Sequence, residues 1–408
     1  METTGAQLVQ ILEGILSPNN AIRGPAEAAY NQVIVSNPNE LVLGLLAALS
    51  GSYPCTAGVP DLGAVLLRRS IERGSGMWSD RLSAPTRTAV QTQLLHLIES
   101  PTSEKLGRLI GHLVSELAVS TLDTGGWPNL LETIANLSCD ASKATSIRVG
   151  ALSVLSKLFE YLGQSLIPQL PSLQPVVLRC LQDPEPQVQR TAVKALCALL
   201  VQHPEPKSLS YLVPSLVAAM GEAAKVNDED WCNTAMQDLI PVAEKAPQLF
   251  RKCLVELSTL CVAVASHEGF EDSCRTSAVE LMLQLCVHAP AMVRRRKDVT
   301  AWLVSLSLRL IAAVEDADAG WPTQEESSSG VSDTEVDELA AVGEEMALRL
   351  GRALGGPAVL PHAMPLLGTY ATGSDGAGIV CSLPYLLCSP IPHCCLVLHF
   401  FTCALHLH

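Results

Sequence analysis

Aromatic side chains are scarce in this chain, at 4% of 408 residues, and no stretch sustains an alternation of apolar and polar residues. β-Sandwiches and barrels draw on aromatic and β-branched residues at that period, so an all-β fold is excluded and the class is all-α. A glycine-rich phosphate loop, a nucleophile elbow and a paired acid/base set are all missing. Their absence removes the common catalytic classes, so neither an enzyme nor a cofactor is expected. His96, His112, His203 and His288 stand apart, with no carboxylate or nucleophile at a telling spacing. No CxxC pair and no Cys/His ladder with zinc-ligand spacing occurs in the body of the chain, so no metal is expected there. The nine cysteines within the first 286 residues fall mostly on apolar helical faces, as Cys180, Cys197, Cys261 and Cys286 do. Free cysteines on such faces behave as small buried hydrophobes. With residues 1–10 polar and mixed rather than signal-like, a reducing intracellular compartment is predicted.

Positive charge is also sparse. The one dense basic run is Arg294-Arg295-Arg296-Lys297. It follows a helix predicted to end near Met292, where cations complement the helix dipole. A nucleic-acid surface would carry more cations with stacking aromatics between them, so direct nucleic-acid binding is not expected. The net charge of −14 is mostly local, because residues 315–345 hold 11 acids and no base. Beyond Asp375 there is no Asp, Glu, Lys or Arg up to His408. Pro384, Pro390 and Pro392 interrupt that apolar tail and leave about 16 residues, short of the ~20 that span a bilayer. His393, Cys394, Cys395, His399, Cys403, His406 and His408 are suitable metal ligands, but their spacing matches no common structural site. Residues 376–408 are therefore read as a tail outside the fold, with no membrane expected.

What is present is a repeat. In PQVQRTAVKALCALL, Val188, Ala192, Ala195, Leu196 and Leu199 share one face of a helix, and a small residue mid-stripe lets a neighbouring helix come close. An apolar stripe at Leu173, Val176, Val177, Cys180 and Leu181 precedes it, and Asp183-Pro184-Glu185-Pro186 makes the turn between the two. The template recurs at Ile147-Ala151-Val154-Leu155 and Cys274-Ala278-Leu281-Met282, more loosely at Trp231-Ala235-Asp238-Leu239, with weaker copies from Ile22, Val59 and Leu106. Its central alanines, Ala151, Ala192, Ala235 and Ala278, lie 41, 43 and 43 residues apart. Two helices per unit at that period are the mark of a HEAT or armadillo-type solenoid. The expected fold is a right-handed HEAT-repeat α-solenoid of about eight antiparallel helix pairs. An arginine follows the first template position at Arg23, Arg148 and Arg275.

Helices are predicted at 5–16, 20–33, 39–49, 59–73, 85–98, 103–121, 127–138, 145–162, 170–182, 186–202, 209–224, 229–245, 248–265, 271–292, 298–314 and 334–354, with another from about Pro361. Gly355 and Gly356 read as a helix stop. Trp127, Trp231 and Trp302 read as packing residues, whereas Trp321, inside an acidic, serine-rich insertion, could anchor a partner. The domain reading is 1–314 for the repeats, 315–338 for an acidic flexible loop, 339–375 for continued repeats and 376–408 for the tail.

Several blocks in order carry a resemblance: GAVLLRR at 63–69, Trp127-Pro128 with NLLETI, LQDPEPQVQRTAVKAL at 181–196, NDEDWCNTAMQDLIPVAEKAPQLF at 227–250 and ALRLGRALGGPAVLP at 347–361. Over roughly residues 5–372 the chain resembles the N-terminal portion of the importin-beta (karyopherin-beta) family of nuclear transport receptors, in its importin five-like branch. The resemblance implies a receptor that shuttles between cytoplasm and nucleus. Its implied partners are Ran-GTP, Phe-Gly nucleoporins and cargo proteins with basic localisation signals. It assigns an acidic loop that couples Ran to cargo to Glu315, Asp316, Asp318, Glu325, Glu326, Asp333, Glu335, Asp337 and Glu338. It also implies an inner surface lined by the second helices of the early repeats, where Arg68 and Arg69 are candidate contacts, a solvated helix edge being the other reading of that pair. A general HEAT scaffold or a regulatory subunit of a larger complex is the alternative the residues leave open.

Overall fold

The computed structural model describes residues 5–71, 76–99, 103–121, 126–163, 166–203, 209–312 and 338–372. Most of the acidic loop, Trp321 and the tail 376–408 lie outside these. Every regular element among the described residues is helical, and none is a strand. The helices gather into two compact units that divide between His203 and Pro204.

In the first unit, α1 (Gly5–Ile15) and α2 (Asn20–Ser36), α3 (Pro38–Leu49) and α4 (Gly58–Ile71), α5 (Ala84–Glu99) and α6 (Glu104–Thr121), α7 (Leu130–Cys139) and α8 (Thr145–Leu162), and α9 (Leu170–Leu181) and α10 (Pro186–Gln202) form hairpins. First helices lie side by side, α1 on α3, α3 on α5, α5 on α7 and α7 on α9. Second helices do the same, α4 on α6, α6 on α8 and α8 on α10. Each hairpin thus buries its apolar stripes on its neighbours, as repeat architectures require. Ala151 and Ala192, the small mid-stripe residues, are fully buried. The turns are set by side chains: Asn19 caps α2 by accepting from the Ala21 amide at 2.9 Å, which satisfies one orphan donor of the first turn.

The second unit continues the pattern. α11 (Val213–Lys225) pairs with α12 (Glu229–Lys245), α13 (Leu254–Ala265) with α14 (Asp272–His288), and α16 (Lys297–Ala312) with α17 (Glu338–Leu354). The one-turn α15 (Pro290–Arg294) links α14 to α16, and α18 (Gly356–Thr372) packs on α16. α11 packs on α13 and α13 on α16, while α12 packs on α14 and α14 on α17. Ala235 and Ala278 are again buried.

Five local expectations are corrected. The helix expected from Trp127 begins at Leu130, because Asn129 sits in the left-handed region at φ 64, which cannot continue a right-handed helix. Trp127 is buried in the turn instead. The helices expected at 248–265 and 271–292 are both broken. The first is interrupted at Cys253 (φ −122, ψ 20), which separates a 3₁₀ segment, Pro247–Lys252, from α13. The second is interrupted at Ala289 (φ −138), which precedes Pro290 and the short α15; a residue before proline is pushed out of helical backbone. Trp302, expected to pack, is 37% exposed on α16. Gly355 (φ 81) ends α17 as read from the sequence, but the next helix starts at once at Gly356 rather than near Pro361.

Candidate partner-binding surface

The side-by-side second helices of the first unit present a polar face. Arg68 and Arg69 are both exposed on α4. Tyr30, on α2, is buried; burial raises its hydroxyl pKa, while a hydrogen bond with Ser70 and the charge of Arg69 pull it back. Arg69 is thereby placed beside a tyrosine that ties α2 to α4. Further along, Lys105 of α6 reaches Asp61 of α4 at 2.6 Å. On α8, Lys157 pairs with Glu160 at 2.7 Å and lies 5.5 Å from the exposed Tyr161 ring. Its pKa is raised chiefly by the Glu160 bond, with Glu116 of α6 adding to the effect. These exposed pairs are individually weak, so a charged partner can exchange with them at little cost.

Polar side chains also tie neighbouring hairpins to one another, some of them buried. Arg148 of α8 makes an ion pair with Asp183, whose side chain is only 9% exposed in the turn before α10. The Asp183 carboxylate also accepts from the Glu185 amide at 2.9 Å, and its carbonyl accepts from Gln189 at 2.8 Å. The His203 ring nitrogen meets the Gly163 carbonyl, and Gln202 donates to the Glu160 carbonyl at 3.0 Å. A Cβ on Gly163 would stand 2.5 Å from that of Gln202, so the approach of α10 to the end of α8 requires glycine. Arg81 donates to the carbonyls of Ile34 and Val35 at 2.7 and 3.0 Å, closing the C-terminal end of α2.

In the second unit, Ser277 of α14 donates to Asn233 of α12 at 2.8 Å. Arg349 of α17 grips Glu280 of α14 with two bonds, 2.6 and 3.0 Å. Gln284 adds a third bond to Glu280 at 2.6 Å. Arg275 donates to the Ala265 carbonyl at 3.1 Å, holding the end of α13. Of the three template arginines, then, Arg148 bridges hairpins and Arg275 closes one, while Arg23 stays within its own helix, donating to Asn20 and pairing with exposed Glu27 at 3.7 Å.

The structure brings Arg68 and Arg69 together on the second-helix face. It places Glu338 as the first residue of α17; the other eight acidic candidates lie outside the described residues. Seven of the nine cysteines of the body are buried and none is in a disulfide. Burial pushes the thiols of Cys180, Cys274 and Cys286 up to about 12 and that of Cys253 up to about 11, and it also raises Cys261. Such thiols stay protonated and inert. Among the described residues no cluster of His, Cys, Asp or Glu could hold a metal, and no helix is long and apolar enough to cross a membrane. Sequence reasoning did not find the Asp61–Lys105 and Arg148–Asp183 pairs. The signal for the first was two opposite charges one repeat apart.

Stacked helical hairpins whose first and second helices each pack side by side define a HEAT-type α-solenoid. A family model described as IPO5-like, TPR repeats, matches residues 102–260, and one described as Importin repeat matches residues 267–361. The chain belongs to the importin-beta family, in its importin five-like branch. Importin subunit beta-3 of Saccharomyces cerevisiae is 23% identical over 361 residues, covering 86% of this chain and 33% of that protein. A probable importin-5 homolog of Dictyostelium discoideum is 19% identical over 322 residues, covering 76% and 29%. The crystal structure of Kap121p matches 98% of this chain with 40% of its own, at 20% identity and a TM-score of 0.76. Kap121p has also been solved bound to RanGTP, to Nup53p and to Pho4p, and those structures match with TM-scores of 0.72, 0.75 and 0.73. The chain spans about a third of the length of the curated relatives it matches.

Proposed function

We propose that this chain acts as part of a nuclear import receptor, binding Ran-GTP, Phe-Gly nucleoporins and cargo with basic signals while shuttling between cytoplasm and nucleus. The observation that carries this reading is the correspondence of nearly the whole chain with Kap121p, whose solved complexes include RanGTP, a nucleoporin-named protein and Pho4p. The second-helix face of the first unit, with Arg68, Arg69 and the exchangeable pairs of α4, α6 and α8, is the surface assigned to Ran. The acids at 315–338 are assigned to coupling Ran to cargo, between repeat segments at 1–314 and 339–375. The work is binding, and the coupling is reciprocal: if Ran-GTP weakens cargo binding, cargo weakens Ran-GTP binding by the same factor.

The test is a pull-down of the whole chain with Ran held in its GTP form and, separately, its GDP form. Capture of the GTP form alone is the expected result. Arg68→Glu with Arg69→Glu should reduce that capture. Absence of any nucleotide preference would refute the receptor reading and favour a general scaffold.

A further inference from the structure

The dense basic run does not simply finish a helix. Arg294 closes α15, Arg295 and Arg296 lie in the turn, and Lys297 opens α16. One repeat earlier, Arg251 and Lys252 close the 3₁₀ segment that leads into α13. The two segments are copies. Ala246-Pro247 and Ala289-Pro290 begin them with nearly the same backbone, φ −137, ψ 50 and φ −138, ψ 53. Arg251 and Lys252 therefore occupy the positions of Arg294 and Arg295, 43 residues on. α13 packs on α16, and the charge of Glu256, in the first turn of α13, is felt at Arg296, which puts these turns side by side.

All six cations are exposed. Arg296 is held by Asp298 at 2.8 and 3.2 Å. Arg251, Lys252, Arg294, Arg295 and Lys297 make no side-chain hydrogen bond or ion pair among the described residues. Glu256 and Asp298 are the acids seated with them. A concentrated positive edge thus sits on a chain of net charge −14. Charge of one sign focused this way recruits the opposite sign.

We propose that this edge of the second unit docks an acidic peptide segment of a partner protein. Neighbouring helices pack about 8–10 Å apart, and an extended chain advances about 3.3 Å per residue. Carboxylates three residues apart on an extended peptide therefore match the step from the Arg251–Lys252 pair to the Arg294–Arg295 pair. A long polyanion such as nucleic acid meets the repulsion of the whole chain, whereas a short acidic segment carries few charges and meets only the edge. The partner is opposite in charge to a basic import signal, so this surface stands independently of the receptor reading.

Fluorescence anisotropy with the whole chain tests it. The probes are a fluorescein-labelled peptide with glutamate at every third position, its glutamine counterpart, and a single-stranded oligonucleotide of equal charge. The glutamate peptide is expected to bind, more weakly as salt rises, and the glutamine peptide not to bind. The fourfold variant Arg251→Gln, Lys252→Gln, Arg294→Gln, Arg295→Gln should keep its far-UV circular dichroism and lose affinity by about tenfold or more. Charge-conserving Arg→Lys changes at Arg251, Arg294 and Arg295 should retain binding. No binding of the glutamate peptide, unchanged affinity in the fourfold variant, or tighter binding of the oligonucleotide would overturn the proposal.

Discussion

Arg148 and Asp183 show how much one residue can carry in a repeat protein. The pair joins α8 to the turn before α10 with side chains 6% and 9% exposed. Removing one partner of such a pair strands a buried charge, which costs about 3–5 kcal/mol. Asp183→Ala should lower stability by that order in urea unfolding, whereas the exposed Lys157–Glu160 pair should contribute under about 1 kcal/mol. The buried cysteines give a pH dependence of definite sign. Their pKa values are raised in the folded chain, so between about pH 8.5 and 12 the folded chain keeps protons that the unfolded chain releases. Their contribution is complete below about pH 8.5 and declines as pH rises through that window. Urea midpoints that fall from neutral pH toward about pH 10 would agree. Alkylation followed by peptide mapping should label Cys55 and Cys139, both half-buried, before Cys261 and Cys286.

At the scale of the element, small residues decide how close two helices come. Gly343 of α17 has no room for a Cβ: it would lie 2.8 Å from the backbone nitrogen of Ile311 in α16. Gly44 of α3 faces Leu8 of α1 in the same way, at 2.6 Å. Because backbone yields less readily than a leucine tip, Gly343→Ala should destabilise by about 1–3 kcal/mol and Gly44→Ala by less, as thermal unfolding of the two variants can compare. The mid-stripe alanines obey the same rule. Ala192→Leu should destabilise by about 1–3 kcal/mol, because a fully packed site must expand. These alanines were legible in the sequence, since a small residue inside an apolar stripe at helical period has a local meaning. Gly343 was not, because nothing in the AAVGEEM stretch around it says which backbone stands opposite.

For the molecule as a whole, helices that pack on the next hairpin make stability a sum of local and neighbour terms. Within the first unit, the loss caused by Asp183→Ala should therefore fade with distance. Hydrogen exchange should accelerate most in α7 to α10 and least in α1 and α2; uniform acceleration would show a single cooperative block instead. The amino-acid order by itself determined the all-α class, the number of hairpins and most helix limits, because a stripe at i, i+4, i+7 and i+8 and a proline turn act within one or two turns of chain. It also marked Arg68 and Arg69, though only through resemblance. Tertiary structure decided which charges meet across repeats: Asp61 with Lys105, Arg148 with Asp183, Glu280 with Arg349. It also set the left-handed Asn129 beside the buried Trp127, and it laid the Arg251–Lys252 pair next to Arg294–Arg295. Those pairings depend on how one hairpin is seated on another, a matter of interhelix distance and register that no single stretch of residues encodes.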